Sequence, residues 1–141
     1  IPSFLDYSLQ AEADSMLNTP PTFTIYLAGL VFDWLRSKGG LSEIEKENEY
    51  KAGLIYEVVE RGDFYSCPVH PAFRSTMNIP FRLKVEELES VFLERAEDAG
   101  LFNLKGHRSV GGMRASIYNA VPVSWVEELV KFMNDFENEY G

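Results

Sequence analysis

The chain has 141 residues, 22 acidic against 13 basic, a formal net charge of -9 and 45% hydrophobic residues. That length suits about one domain, the composition argues against a disordered chain, and the acidic balance argues against a nucleic-acid surface, which needs a basic stripe. Its one cysteine, Cys67, excludes an internal disulfide and fits a reducing cytoplasm.

Residues 1–17 show no sustained period: residues 1–7 read as extended and residues 11–15 as a polar loop. No signal-peptide pattern stands at the N-terminus. Asn18-Thr19-Pro20-Pro21-Thr22 then fixes an extended approach to a helix, with Thr22 as its cap. That helix is expected to run to Ser37 and to stop at Gly39-Gly40. Ile25, Leu27, Leu30, Val31, Phe32 and Leu35 make it apolar on most sides, which predicts a helix that is buried or covered by a partner subunit. Asp33 interrupts the run, which is too short to span a bilayer.

Ser42-Glu43-Ile44-Glu45 has the form of a capping box. It predicts a long polar helix ending near Arg61-Gly62, with Ile44, Leu54, Ile55, Val58 and Val59, and more weakly Tyr50, turned inward. The alternating Glu43, Glu45, Glu47 and Glu49 read as a solvated face. Residues 63–67 and 77–83 read as strands, and Pro80 places the second at an edge or a bulge. Cys67 reads as a small buried residue and His70, between prolines, as an exposed one. Residues 85–99 predict an amphipathic helix with Leu88, Val91, Phe92 and Ala96 inward, stopped by Gly100. Residues 101–104 read as a short strand. A further strand starts at Met113, and Ser124-Trp125-Val126-Glu127 is a second capping box, opening a last helix with Val126, Leu129, Val130, Met133 and Phe136 as its apolar face. From Ser42 onward this order predicts an α/β two-layer sandwich, helices on a small mixed or antiparallel sheet. Residues 1–41 read as the end of one domain and residues 42–141 as another.

The densest chemical signal lies at residues 105–120. Lys105, His107 and Arg108 precede a glycine pair, and Arg114 follows it. Alternation puts Met113, Ala115 and Ile117 on one face of the strand, and Arg114, Ser116 and Tyr118 on the other. Glycines just before a strand mark a bulge or a close approach by a backbone or ligand. A guanidinium there suits an anion, because its planar fork grips a carboxylate with two parallel hydrogen bonds. On spacing alone, Arg108 and Arg114 read more readily as ordinary ion-pair partners in a carboxylate-rich chain. Asn18 and Thr19, just before a helix N-terminus, suit a phosphate, although the same residues are ordinary helix-start chemistry. No histidine and cysteine spacing suggests a metal site, and no arrangement of serine, cysteine or histidine suggests a nucleophile.

GHRSVGGMRASIYNA at residues 106–120 resembles the C-terminal signature of the phosphoserine aminotransferases, fold-type I transaminases of serine biosynthesis, some of which also serve pyridoxine biosynthesis. NTPPTF at residues 18–23 and the RSxMNxPF pattern at residues 74–81 resemble further segments of the same family, and the resemblance runs through nearly the whole chain. It implies the small domain of such an enzyme, preceded by the end of the large cofactor domain and a linking helix. It also implies Arg114 as the ligand of the substrate α-carboxylate, and His107 and Arg108 as ligands of the phosphoserine phosphate. Asn18 and Thr19 would hold the phosphate of pyridoxal 5'-phosphate in the neighbouring subunit of a cytoplasmic homodimer. L-Glutamate and phosphoserine or 3-phosphohydroxypyruvate would be the substrates. The RSxMNxPF segment reads as structural, with Arg74 pairing a carboxylate.

A transaminase needs a lysine for the Schiff base with its cofactor. None of Lys38, Lys46, Lys51, Lys84, Lys105 and Lys131 lies in a segment resembling the family's lysine segment. The resemblance therefore implies the C-terminal part of the enzyme, with no catalytic residue of its own and inactive alone. The other readings of the same residues are a free-standing module that binds a phosphorylated amino acid, and a dimerisation domain built on the apolar helix.

Overall fold

A computed structural model describes all 141 residues. They form two compact units, residues 1–40 and residues 41–141. No helix is long and apolar enough to cross a membrane.

In the first unit, residues expected to be irregular are helical: a 3-10 turn at Ser3–Leu5 leads into helix α1, Tyr7–Glu12. The missed signal is Asp6, whose carboxylate accepts the Ser8 N–H (3.0 Å) and caps α1. Asp14 and Ser15, both at positive φ (49° and 65°), end it. Helix α2 is Thr22–Ser37. Thr22 is not its cap; Pro21 holds that position without a side-chain bond, and the Thr22 hydroxyl donates to the Pro20 carbonyl (3.2 Å). Gly39 and Gly40, at φ 100° and 84°, end α2 as expected. The expected burial of α2 is not met within this chain: none of its residues is buried, and Phe23 and Phe32 are 76% and 62% exposed.

The second unit opens with α3, Leu41–Arg61. It begins one residue before Ser42, which therefore lies inside the first turn and not at the cap. Strands β1 (Tyr65–Ser66) and β2 (Asn78–Leu83) follow, then α4 (Glu89–Asp98), entered through a 3-10 turn at Glu86–Leu88. Strand β3 is Met113–Ser116 and α5 is Val123–Tyr140. Residues 101–104 are not a strand, because Asn103 turns left-handed (φ 64°) and breaks the extended run. Ser124 lies inside α5, whose cap position is Pro122, again without a side-chain bond.

The three strands are antiparallel in the order β1-β2-β3. Pro80 sits in the middle strand, yet β1 pairs only with Arg82 and Leu83, so the Pro80 end of β2 pairs with β3 alone. Pro80 faces Arg114, whose N–H points away to the Leu104 carbonyl (2.6 Å). The opposed proline nitrogen likewise points away from β3, so no ladder bond is lost.

Alternation along the strands buries Ile79, Phe81, Leu83, Met113 and Ala115, continued by Ile117 beyond β3. Helices α3 and α5 pack on each other, and the same core takes in Ile55 and Val59 from α3, Phe92 from α4, and Met133 and Phe136 from α5. Phe92 meets Phe136 edge-on at 5.1 Å. The buried Tyr65 hydroxyl donates to the Met133 carbonyl (2.8 Å), and burial pushes its pKa well above the ordinary phenol value. Cys67, expected to be buried, is only half-buried.

Lys51 is the least expected core residue. Its side chain is 0% exposed, and Nζ donates to the carbonyls of Ile117 (3.4 Å), Tyr118 (3.1 Å) and Val121 (3.1 Å). One turn earlier on α3, Asn48 donates to the Asn119 side chain (2.8 Å). Together they pin the segment after β3 to α3. Burial pulls the Lys51 pKa below the ordinary lysine value, opposed by the Glu47 charge; the three carbonyls also favour the ammonium form. Lys51→Met leaves those carbonyls without their donor, so it should cost about 2 kcal/mol. The measurement is the urea midpoint at unchanged m-value; a loss below about 0.5 kcal/mol would mean the segment is held without the ammonium.

Candidate functional site

Residues 106–112 form a closed loop. The Gly106 N–H donates to the Gly112 carbonyl (2.8 Å), and Lys105 bridges to Met113 just outside. Inside the loop, the His107 carbonyl accepts from Val110 (2.8 Å) and Gly111 (2.9 Å). Glycine is required here for two separate reasons. Gly111 and Gly112 lie at φ 77° and 63°. A Cβ on Gly106 would stand 2.2 Å from the Gly111 carbonyl oxygen, and one on Gly112 would stand 2.8 Å from that of Phe81.

The loop presents His107 and Arg108 as exposed side chains. His107 Nδ1 accepts the Ser109 N–H (3.3 Å) and lies 2.7 Å from the Ser109 hydroxyl. An accepting Nδ1 puts the proton of the neutral ring on Nε2, leaving Nε2–H as the ring's free donor.

On the exposed face of the sheet, the register sets Arg114 opposite Pro80 and Ser116 opposite Asn78. The Ser116 hydroxyl donates to Asn78 Oδ1 (3.0 Å), and Asn78 Nδ2 donates to the Tyr118 hydroxyl (3.3 Å). That bond from Asn78 first, then one with Ser116, with the Arg114 charge helping, holds the Tyr118 hydroxyl below the ordinary phenol pKa.

Between this face, the loop and the connection before β2 lies a cleft of about 500 Å³, whose lining includes Phe73, Asn78, Pro80, His107 and Arg114. Its far wall is braced from α3. Arg74 pairs with Glu60 (2.6 Å) and lies over the Tyr56 ring (4.7 Å), while the Tyr56 hydroxyl donates to the Ser75 carbonyl (2.8 Å). The Ser75 hydroxyl accepts from the Met77 (3.0 Å) and Asn78 (3.1 Å) N–H groups. A larger concavity of about 860 Å³ lies between the ends of α3 and α5, but its Arg61 is already paired with Glu137 (2.8 Å). Size alone therefore does not mark the site.

The structure thus brings His107 and Arg114 to one cleft. Arg108 lies on the same loop but does not line the cleft, and Asn18 and Thr19 stand exposed in the first unit, their side chains without hydrogen bonds inside the chain. Neither arginine belongs to any of the six ion pairs, which involve Arg36, Lys46, Arg61, Arg74, Lys84 and Arg95. Within this chain, then, Arg108 and Arg114 do not form the ordinary ion pairs that the composition suggests. Asn78 is the cleft residue that sequence reasoning missed as a site group, since only the β2–β3 register sets it beside Ser116.

The two glycine requirements are separable. Gly111→Ala meets only the backbone cost of positive φ, about 1 kcal/mol, because the nearest atom to its Cβ is the flexible end of Arg82 at 3.5 Å. Gly106→Ala meets a backbone clash and should destabilise by a clearly larger amount, read from urea midpoints. A Gly106→Ala loss no larger than that of Gly111→Ala would show that the loop yields to the added Cβ and that the close approach does not govern it.

The aminotransferase class-V family matches residues 2–129 of the chain. The phosphoserine aminotransferase of Laribacter hongkongensis strain HLHK9 is 55% identical over 141 residues, which covers 99% of this chain and 39% of the relative. The solved phosphoserine aminotransferase from Bacillus circulans subsp. alkalophilus superposes with a TM-score of 0.88 at 46% identity, covering 100% of this chain and 39% of that one. The pyridoxal-phosphate-bound phosphoserine aminotransferase of Trichomonas vaginalis gives a TM-score of 0.79 at 39% identity, over 92% of this chain and 37% of that one. The chain therefore spans about 39% of the length of these bacterial relatives. With the family matched over most of its residues, the chain belongs to the aminotransferase class-V family.

Proposed function

We propose that the chain is part of a phosphoserine aminotransferase, which exchanges an amino group between L-glutamate and 3-phosphohydroxypyruvate to give 2-oxoglutarate and phosphoserine. The observation that carries this reading is the convergence of His107 and Arg114 on one cleft, without a carboxylate partner, in a chain of net charge -9. A guanidinium left unpaired among so many carboxylates is available to an anionic ligand, and the imidazole Nε2–H can join it. The likeness to phosphoserine aminotransferases supports the amino-group exchange, and the reading places the complete enzyme in the cytoplasm as a homodimer.

Arg114 receives the substrate α-carboxylate. It stands on a strand whose opposite face is core, so the guanidinium starts from a fixed backbone. His107 donates Nε2–H to a phosphate oxygen, and Arg108 adds a charge from the same loop. Two anion clamps select a substrate with a group at each end, and holding both ends orients the amine between them. The chain's contribution in this cleft is binding and orientation, since no lysine lines it.

Pyridoxal 5'-phosphate, when bound, supplies the electron sink for the amino-group exchange. The residues that would hold its phosphate are Asn18 and Thr19, acting in a neighbouring subunit. They fit that role on chemistry: an amide and a hydroxyl, both exposed and unengaged, just before α2, whose N-terminus has no side-chain cap.

In the complete enzyme, Arg114→Ala should raise KM for phosphoserine and glutamate alike, by about tenfold or more, since both carry an α-carboxylate. His107→Ala should penalise phosphoserine selectively. Steady-state kinetics with each substrate varied in turn decides it; unchanged KM values for both substrates in Arg114→Ala would refute the carboxylate assignment.

A further inference from the structure

We propose that Arg82 is a positioning residue for the phosphate side of the cleft: it latches the 106–112 loop so that His107 and Arg108 are held where an anion meets them. The functional half of this inference rests on the assignment of His107 to the phosphate.

Arg82 lies on β2, opposite Ser66 of β1, and alternation places it on the same face as Asn78 and Pro80. From there it reaches the loop at two points. Nη2 donates to the Val110 carbonyl, and the stem lies against Gly112, where an added Cβ would come within 2.7 Å of Arg82 Cγ. No carboxylate pairs with it, and its Nε is buried without an acceptor. The guanidinium is therefore placed by the loop and not by an ion pair.

The loop needs such a hold. Its glycine pair offers no side chain to pack, and its interior is tied mainly through the His107 carbonyl. Glycines at positive φ lose the most conformational freedom on ordering. A charged donor on a neighbouring carbonyl offsets part of that loss. Bare Gly112 lets the Arg82 stem lie against the backbone, so latch and glycine require each other.

The test is made on the complete enzyme with Arg82→Met, which keeps the stem and removes the donor, and with Arg82→Lys, which restores one. Hydrogen exchange at the Gly106, Val110 and Gly111 amides should quicken about tenfold in Arg82→Met, with α5 unchanged, and recover partly in Arg82→Lys. KM for phosphoserine should rise by a similar factor, while KM for glutamate stays within about twofold. A structural role alone would move both substrates or neither.

Unchanged exchange in the loop overturns the latch. Quickened exchange without a change in phosphoserine KM overturns the positioning role, provided His107→Ala raises that KM. If His107→Ala leaves phosphoserine untouched, the phosphate assignment is what has failed, and the exchange rates alone then decide for or against the latch.

Discussion

The register of β2 against β3 is the constraint on which the rest of the second unit depends. With Ile79 opposite Ala115 and Phe81 opposite Met113, the apolar residues of both strands face the core. The same pairing sets Pro80 opposite Arg114 and Asn78 opposite Ser116 on the outer face. A slip of one residue would turn Arg114 into the core and Met113 out of it. Burial thus fixes the position of the exposed arginine more firmly than any contact of its own. The glycine loop inherits that precision, because Gly112 immediately precedes Met113 and closes onto Gly106.

The elements that carry the proposed clamps were legible in the sequence because their signals are local. Alternation over residues 113–118 sorts core from exposed residues directly, and the fold class follows from the order of helices and strands. Helix starts were less legible. Ser42 and Ser124 have capping-box spacing, yet both helices begin one residue earlier, after Gly40 at positive φ and after Pro122. At α5 the Pro122 backbone (φ -62°, ψ 149°) is already extended for a helix start without a side-chain oxygen. Helix α1 is too short to show a period, and its one signal was the Asp6 cap.

Lys51 was illegible for a different reason. As a lysine on a polar helix it reads as solvated, and its partners are backbone carbonyls about seventy positions away. Carbonyls have no sequence signature. Asn48 and Asn119 share the difficulty, as does Arg82, whose acceptor is the Val110 carbonyl. In each case a polar side chain serves a segment that cannot bond regularly, either the return after β3 or the glycine loop. Such residues are found by asking where irregular backbone finds its hydrogen bonds.

The charge balance explains why the cleft depends so heavily on backbone geometry. A chain with nine more acidic than basic groups does not draw anions from a distance. Beyond a Debye length of about 8 Å at physiological salt, both that repulsion and any attraction by the cleft are largely screened. Under the proposed function, an anionic substrate is then held only by donors within hydrogen-bond reach, where a misplacement of about 1 Å costs much of the interaction. A site that works at short range has to be built from fixed parts. Arg114 stands on a strand whose other face is core, His107 is set by Ser109, and the loop closes where Gly106 and Gly112 admit no side chain.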